Sequence, residues 1–203
     1  LEKEGIENVE IISEDILKFS IFNFQFSNNF QCKNFKFKIV ANLPYNITSR
    51  FLRKFLSEEE NKPSEMVLML QQEVAERICA KPGQMSLLAV ATQFYAEPEI
   101  IARVPADAFW PRPKVESAII SLKVHKVHKV IKPEEKFFKL VKIGFSAKRK
   151  QLAGNLAKGL KIKAEIVKEI LADCKLKETI RAQELSLENW YKLYVVLDRR
   201  NVL

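Results

Sequence analysis

An α/β domain followed by a small all-α domain is the fold class that this 203-residue chain predicts, and three observations predict it. Strand-like and helix-like apolar patterns alternate as far as residue 124. From Pro133 onward only helical spacing remains. The clearest strand pattern runs, at its carboxyl end, into the polar cluster Asn42-Leu43-Pro44-Tyr45. Alternation of this kind builds layered α/β sheets, and ligands of open α/β sheets bind beyond the carboxyl ends of the strands.

Taken in order, Val9-Glu10-Ile11-Ile12 predicts a strand near residues 8–13, with Asp15 just after it, and residues 20–34 read as a polar and aromatic excursion. Phe35, Phe37 and Ile39 alternate with Lys36 and Lys38 at period two, so 35–41 reads as a strand. Thr48 or Ser49 is expected to cap a helix whose buried face carries Phe51, Leu52, Phe55 and Leu56. Residues 65–70 read as a buried strand, 72–80 and 86–94 as helices, and 98–104 and 117–124 as strands. The stretch 123–132 reads as a linker or strand extension; its His125 and His128 have no third ligand nearby, so no metal site is expected. Beyond it, helical spacing recurs in Phe137, Leu140, Val141 and Phe145, in Leu152, Leu156 and Leu160, in Ile166, Ile170 and Leu171, and through 187–197. The expected division is a catalytic domain over 1–130 and a helical domain over 131–203.

Composition bounds the class. With 47% hydrophobic and 29% charged residues the chain reads as globular, and no apolar run approaches the ~20 residues that span a membrane. Cys32, Cys79 and Cys174 are odd in number and widely spaced, which suits reduced thiols in the cytoplasm. The net charge is +9, yet residues 123–163 alone hold twelve Lys and one Arg against Glu134 and Glu135. Basicity confined to one segment suits a polyanionic partner, although a solvated lysine face reads the same way. Ser146 is a plausible N-cap that would put Lys148, Arg149 and Lys150 in a helix's first turn, where cations are unfavourable and a phosphate would relieve the conflict.

The Asn42 amide carbonyl and the Leu43 main-chain carbonyl are two acceptors that a turn fixed by Pro44 can aim at one point. An amino group would fit there. Two acceptors gripping both hydrogens of an adenine amine favour a pyramidal nitrogen and free its lone pair for attack on an electrophilic methyl group, with no ionised base required. Tyr45 offers a face for stacking an extruded base. The same four residues read equally as ordinary turn punctuation.

The run Asn42-Leu43-Pro44-Tyr45-Asn46-Ile47-Thr48-Ser49 resembles the fourth motif of the rRNA adenine dimethyltransferases that use S-adenosylmethionine. Further segments resemble that family in order. They are 72–77 (Gln-Glu-Val-Ala-Glu-Arg), 109–117 (Phe-Trp-Pro-Arg-Pro-Lys-Val-Glu-Ser), 145–152 and 181–186. The resemblance implies a Rossmann-like methyltransferase sheet of order 3-2-1-4-5-7-6 followed by an all-α C-terminal domain. It also implies that Phe109 stacks on the target adenine opposite Tyr45, with Pro111 and Pro113 stiffening its loop. Asp15 corresponds to the acidic residue that accepts the cofactor's adenine amine, with Asn42 also on the cofactor, although a solvated Asp after a strand reads the same way. Arg112, Lys114, Lys148, Arg149 and Lys150 are expected to contact rRNA. Glu14 stands where the family usually has Gly, and Gln84 and Met85 depart from its pattern after Gly83.

Leu1 opens the chain inside what resembles the middle of a catalytic domain, and no Gly-x-Gly cluster follows any strand. The first strands, the glycine-rich loop and the ribose-holding acidic residue are therefore expected upstream. The isolated chain is expected to bind S-adenosylmethionine weakly or not at all, and the strand ending at Val40 is expected to have an open edge. The resemblance implies N6,N6-dimethylation of two adjacent adenosines near the 3′ end of small-subunit rRNA. The expected partners are that rRNA and the pre-ribosomal small subunit, with the protein a cytoplasmic monomer needing no membrane. Two alternatives stand beside it: a large-subunit methyltransferase of the erythromycin-resistance type, and a non-catalytic rRNA-binding assembly factor.

Overall fold

The alternating apolar residues of the chain's centre fold into one mixed sheet, and the helical spacing at its end folds into a bundle laid against it. The structure is a computed structural model, and it describes residues 9, 11–19, 36–125 and 134–203. Contacts divide the chain into two units, Leu1–Phe35 and Lys36–Leu203.

In the first unit, the Asp15 carboxylate accepts the Leu17 N–H at 2.9 Å, and the Asp15 carbonyl accepts those of Lys18 and Phe19 at 2.8 and 2.9 Å. This is the local side-chain-to-backbone bonding that Asp favours at turns. No strand is found among the described residues of the 8–13 stretch. Residues 9 and 11–13 belong to no ladder, and Val9, Ile11 and Ile12 are exposed. Apolar β-branched residues make a strand only where a neighbour takes up their main-chain groups. The excursion over 20–34 lies outside the described residues.

The second unit holds β1 (Lys38–Asn42), α1 (Thr48–Arg53), β2 (Glu65–Gln71), α2 (Gln72–Ile78), α3 (Leu87–Tyr95), β3 (Ala96–Val104) and β4 (Ser117–Val124). The sheet order among the described residues is β1-β2-β4-β3, with β1 and β2 parallel and β4 antiparallel to both its neighbours. That is the 4-5-7-6 part of the order the resemblance implies. Met66, Leu68 and Leu70 of β2 face Leu122, Ile120 and Ala118 of β4, and all six are fully buried. The period-two pattern of residues 65–70 thus forms the sheet's core face. β1 pairs only with β2 among the described residues, and Val40 is 81% exposed, so β1 is the edge strand of the described sheet, as expected. It runs 38–42 rather than 35–41, which places Asn42 as its last residue.

Phe51, Leu52, Phe55 and Leu56 are buried as expected, the last two in a π-turn, Lys54–Glu58, that continues α1. The expected cap differs: Thr48 lies inside the helix, is buried, and its hydroxyl donates back to the Tyr45 carbonyl at 3.3 Å. Ser86 does cap α3, accepting the Ala89 N–H at 3.1 Å. The loop before it also has a clear task. Gly83, at φ 105°, and Met85 both donate their N–H groups to the Gln183 carbonyl, at 2.9 and 3.0 Å, which ties the loop to the 3-10 turn Ala182–Glu184 near the C-terminus. A positive φ is cheap only for glycine.

The bundle holds α4 (Glu134–Gly144), α5 (Leu152–Leu160), α6 (Ala164–Asp173) and α7 (Leu187–Arg199). Phe94 of α3 lies with Phe137 and Phe138 of α4, each with centroids at 5.0 Å, and with Tyr191 of α7 at 5.9 Å. One aromatic cluster therefore joins bundle and sheet layers. Two expectations need correction. Ile166 is exposed and Val167 is buried in its place, because the next core positions Ile170 and Leu171 fall three and four residues beyond 167. Ser146 caps nothing: α5 begins at Leu152 after Gln151, and Lys148, Arg149 and Lys150 lie exposed in the preceding turn, closed by Lys150 N–H to the Ala147 carbonyl at 3.0 Å. The dipole conflict inferred from a cap at Ser146 therefore does not arise.

Candidate functional site

The parallel ladder of β1 on β2 extends one residue past the strand, where the Leu43 N–H reaches the Met69 carbonyl at 3.4 Å. There the chain turns. Leu43 is buried and anchors the bend, Pro44 sits at φ −55°, and the Ile47 N–H returns to the Pro44 carbonyl at 3.1 Å to close a 3-10 turn over Tyr45–Ile47 that leads directly into α1. Proline fixes that φ without a donor to satisfy. Asn42, held at the strand end, is exposed, and its amide has no hydrogen-bond partner among the described residues.

The opposite wall comes from the connection between β3 and β4, whose ends are clamped by the Val104–Ser117 pairing. Ala106–Ala108 form a short 3-10 turn, and Phe109 follows in extended backbone at φ −119°, ψ 148°. The turn 42–45 and the side chains of Phe109, Trp110, Pro111 and Pro113 line one pocket of about 320 Å³. Two segments 64 residues apart in sequence meet because β1 and the β3–β4 connection end on the same side of the sheet.

A hydrogen bond joins the two walls. The Tyr45 hydroxyl lies 2.9 Å from the Ser117 hydroxyl, and Ser117, the first residue of β4, is fully buried. Tyr45 is thereby held at its ring tip as well as at its backbone. The expected roles named Tyr45 and Phe109 but gave Ser117 none. Its signal was only its place at the end of the Phe-Trp-Pro-Arg-Pro-Lys-Val-Glu-Ser run, since a partner 72 residues away leaves no local mark.

The pocket lining carries no carboxylate, ammonium or imidazole; besides aromatic rings and prolines it offers an amide and a phenol. Such a lining suits a flat, neutral, amine-bearing ring: aromatic faces take the ring, and carbonyl acceptors take the amine. Of the residues expected to act, the structure brings Asn42, Leu43, Pro44, Tyr45 and Phe109 together. Arg112 and Lys114 are exposed in the Phe109 loop and pair with no carboxylate among the described residues. Lys148, Arg149 and Lys150 are exposed in the α4–α5 connection, outside the pocket lining. Asp15, in the other unit, is exposed, with one carboxylate oxygen on the Leu17 N–H and the second unengaged among the described residues. A larger cavity of about 410 Å³, with Cys79, Lys81, Glu97 and His125 on its walls, contains none of the expected site residues. No group of three or more potential metal ligands occurs among the described residues.

Comparison with known proteins gives the family and the fold. A family model described as ribosomal RNA adenine dimethylase matches residues 1–198. Ribosomal RNA small subunit methyltransferase A of Dehalococcoides mccartyi strain BAV1 is 40% identical over 191 residues, covering 94% of this chain and 63% of that protein. The protein of the same name from Alkaliphilus oremlandii is 38% identical over 187 residues, covering 90% of this chain and 64% of that protein. The chain thus spans just under two thirds of the length of these curated relatives. Among solved structures, a dimethyladenosine transferase from Plasmodium falciparum superimposes with a TM-score of 0.77 at 22% identity, over 98% of this chain and 76% of that one. The 23S rRNA methyltransferase ErmE does so with a TM-score of 0.73 at 23% identity, over 97% and 75%. At such identities the two structures establish the shared fold: a Rossmann-like methyltransferase sheet with an all-α bundle after it.

Proposed function

Because this chain belongs to the ribosomal RNA adenine dimethylase family, we propose that it serves S-adenosylmethionine-dependent N6,N6-dimethylation of two adjacent adenosines near the 3′ end of small-subunit rRNA, during assembly of that subunit. The observation that carries this reading is the unpartnered Asn42 amide in one pocket with Tyr45 and Phe109. An adenine flipped out of its strand is held between the two rings. The Asn42 and Leu43 carbonyls accept the two N6 hydrogens, so the nitrogen becomes pyramidal and its lone pair points away from the ring. Their dipoles are fixed before reaction begins, which is why they favour the transition state over the planar ground state. That lone pair would form a bond to an electrophilic methyl carbon as the carbon's bond to its sulfonium leaving group breaks, and the nitrogen would then release a proton to water.

S-adenosylmethionine, when bound, supplies the electrophilic methyl group. Asp15 and Asn42, each within its own unit, have the chemistry to hold parts of it. The unengaged Asp15 oxygen is an acceptor of the kind its adenine amine needs, and the Asn42 amide, a donor as well as an acceptor, is open at the strand end. The rRNA backbone meets Arg112 and Lys114 beside the pocket and Lys148, Arg149 and Lys150 on the helical domain over 131–203. Exposed cations without carboxylate partners lose least on meeting phosphates.

The test is transfer of labelled methyl from S-adenosylmethionine to isolated small- and large-subunit rRNA by the full-length protein and its Asn42→Ala variant. Label is expected on small-subunit adenosines, falling about 10²- to 10³-fold in the variant, the usual loss for one preorganised polar group. Label on large-subunit RNA would transfer the assignment to the erythromycin-resistance type. Binding of RNA without transfer would leave an assembly factor.

A further inference from the structure

We propose that Trp110 is a second stacking platform, which holds the nucleobase next to the target adenine when single-stranded RNA enters the site; the proposal rests on the adenine reading of the pocket. Trp110 is 97% exposed, while the other tryptophan, Trp190, is fully buried. The Trp110 indole makes no ring contact, cation–π contact or hydrogen bond among the described residues, yet it forms part of the pocket wall beside Phe109. The two neighbours differ in burial: Phe109 is half-buried in the pocket wall, whereas Trp110 stands almost wholly in solvent at its rim. One base cannot use both faces.

The chemistry of the occupant follows from the neighbours. A broad indole face with Arg112 and Lys114 exposed two and four residues on, neither paired with a carboxylate among the described residues, combines a ring for stacking with cations for phosphate. Single-stranded RNA is recognised through that pairing, because every base has a π face and every linkage a negative charge. The base that reaches it is one still joined to the adenine in the pocket. Trp110 thus selects for a base, and so for an unpaired strand, beside the target.

The experiment follows binding of a short single-stranded RNA carrying two adjacent adenosines by the anisotropy of a label on the RNA, and follows tryptophan emission at the same time. Because Trp190 is sealed from solvent, quenching by added acrylamide reports Trp110, and saturating RNA is expected to suppress it. Trp110→Ala is expected to weaken binding by about 5- to 150-fold, the fold-change equivalent of roughly 1 to 3 kcal/mol of stacking per base. Trp110→Phe should recover most of that, and the salt dependence should be unchanged because no charge is removed. RNA with an abasic site beside the target should bind the wild type and Trp110→Ala equally. Should RNA bind while Trp110 stays open to acrylamide and the alanine variant binds like the wild type, the platform is excluded and the adenine reading survives. If Asn42→Ala and an abasic target leave both binding and methylation unchanged, the adenine reading itself fails and the platform goes with it.

Discussion

Ser117 shows what a single side chain contributes at this site. Its hydroxyl is buried at the start of β4 and reaches the Tyr45 hydroxyl across the mouth of the pocket. A hydrogen bond of this kind is worth about 0.5 to 1.5 kcal/mol net, and here it also restrains the Tyr45 ring, which the proposed function sets against the base. Ser117→Ala is expected to lower the methyl-transfer rate about 3- to 10-fold, consistent with losing that restraint. Tyr45→Phe should lower it by a similar factor, and the double variant should fall no further, since both singles remove one interaction. Independent, multiplying losses in that rate measurement would mean the two hydroxyls act separately. Asn42 needs no such support, since its position follows from being the last residue of a strand.

Among the elements, α4, α5 and α7 approach closely around Gly144. Gly144 ends α4 against the buried Trp190 indole, and the buried Asn155 amide of α5 donates to the Gly144 carbonyl at 2.7 Å and to that of Ala147 at 3.2 Å. A Cβ at 144 would run into the Trp190 ring and lie 3.1 Å from the Leu152 Cδ1 atom, whereas a Cβ at Gly154 would meet nothing within 4 Å. Alanine is the better helix former by about 1 kcal/mol at either position, so propensity alone cannot separate the two. Overpacking costs about 1 to 3 kcal/mol. Gly144→Ala is therefore expected to lower the melting temperature by several degrees, and Gly154→Ala to hold or raise it. Calorimetry giving both variants the same shift would remove steric packing as the reason for Gly144. The same joint fixes where α5 starts, which is why Lys148, Arg149 and Lys150 project from a turn rather than from a helix end.

Taken as a whole, residues 36–203 are held together by aromatic side chains whose phenols are difficult to ionise. The Tyr95 hydroxyl donates to a Glu134 carboxylate oxygen at 2.6 Å and lies 3.1 Å from the Ser57 hydroxyl, linking α3 to the start of α4 and to the π-turn after α1. Burial, with the Glu134 bond adding to it, holds the Tyr95 phenol above its usual range; burial alone pushes Tyr191 up to about 12, and burial with the nearby Asp198 charge raises Tyr194. A raised phenol pKa means the folded state keeps a proton that the unfolded chain gives up. The stabilisation is therefore complete below about pH 10 and is lost as pH rises beyond it. Lys62, whose pKa is lowered chiefly by burial, works in the opposite sense over the same range, but one ammonium stands against three phenols. Melting curves are expected to shift to lower temperature once pH passes 10, and less steeply in Tyr95→Phe; a flat profile to pH 11.5 would contradict the assignment. The sequence by itself determined the order of the strands and helices, the apolar faces of β2 and α1, and the turn that ends in Tyr45, because these depend on period, on proline geometry and on neighbours within a few residues. It misread the 8–13 stretch and the Ser146 cap, since a strand needs a ladder partner and a helix start is fixed by the helix it packs on. Only the tertiary structure decided that Ser117 restrains Tyr45, that the Gly83 loop bonds to Gln183, and that Phe94 joins the sheet layers to the bundle. Each of these unites residues dozens of positions apart, and such contacts come from the way layers pack, which no local pattern records.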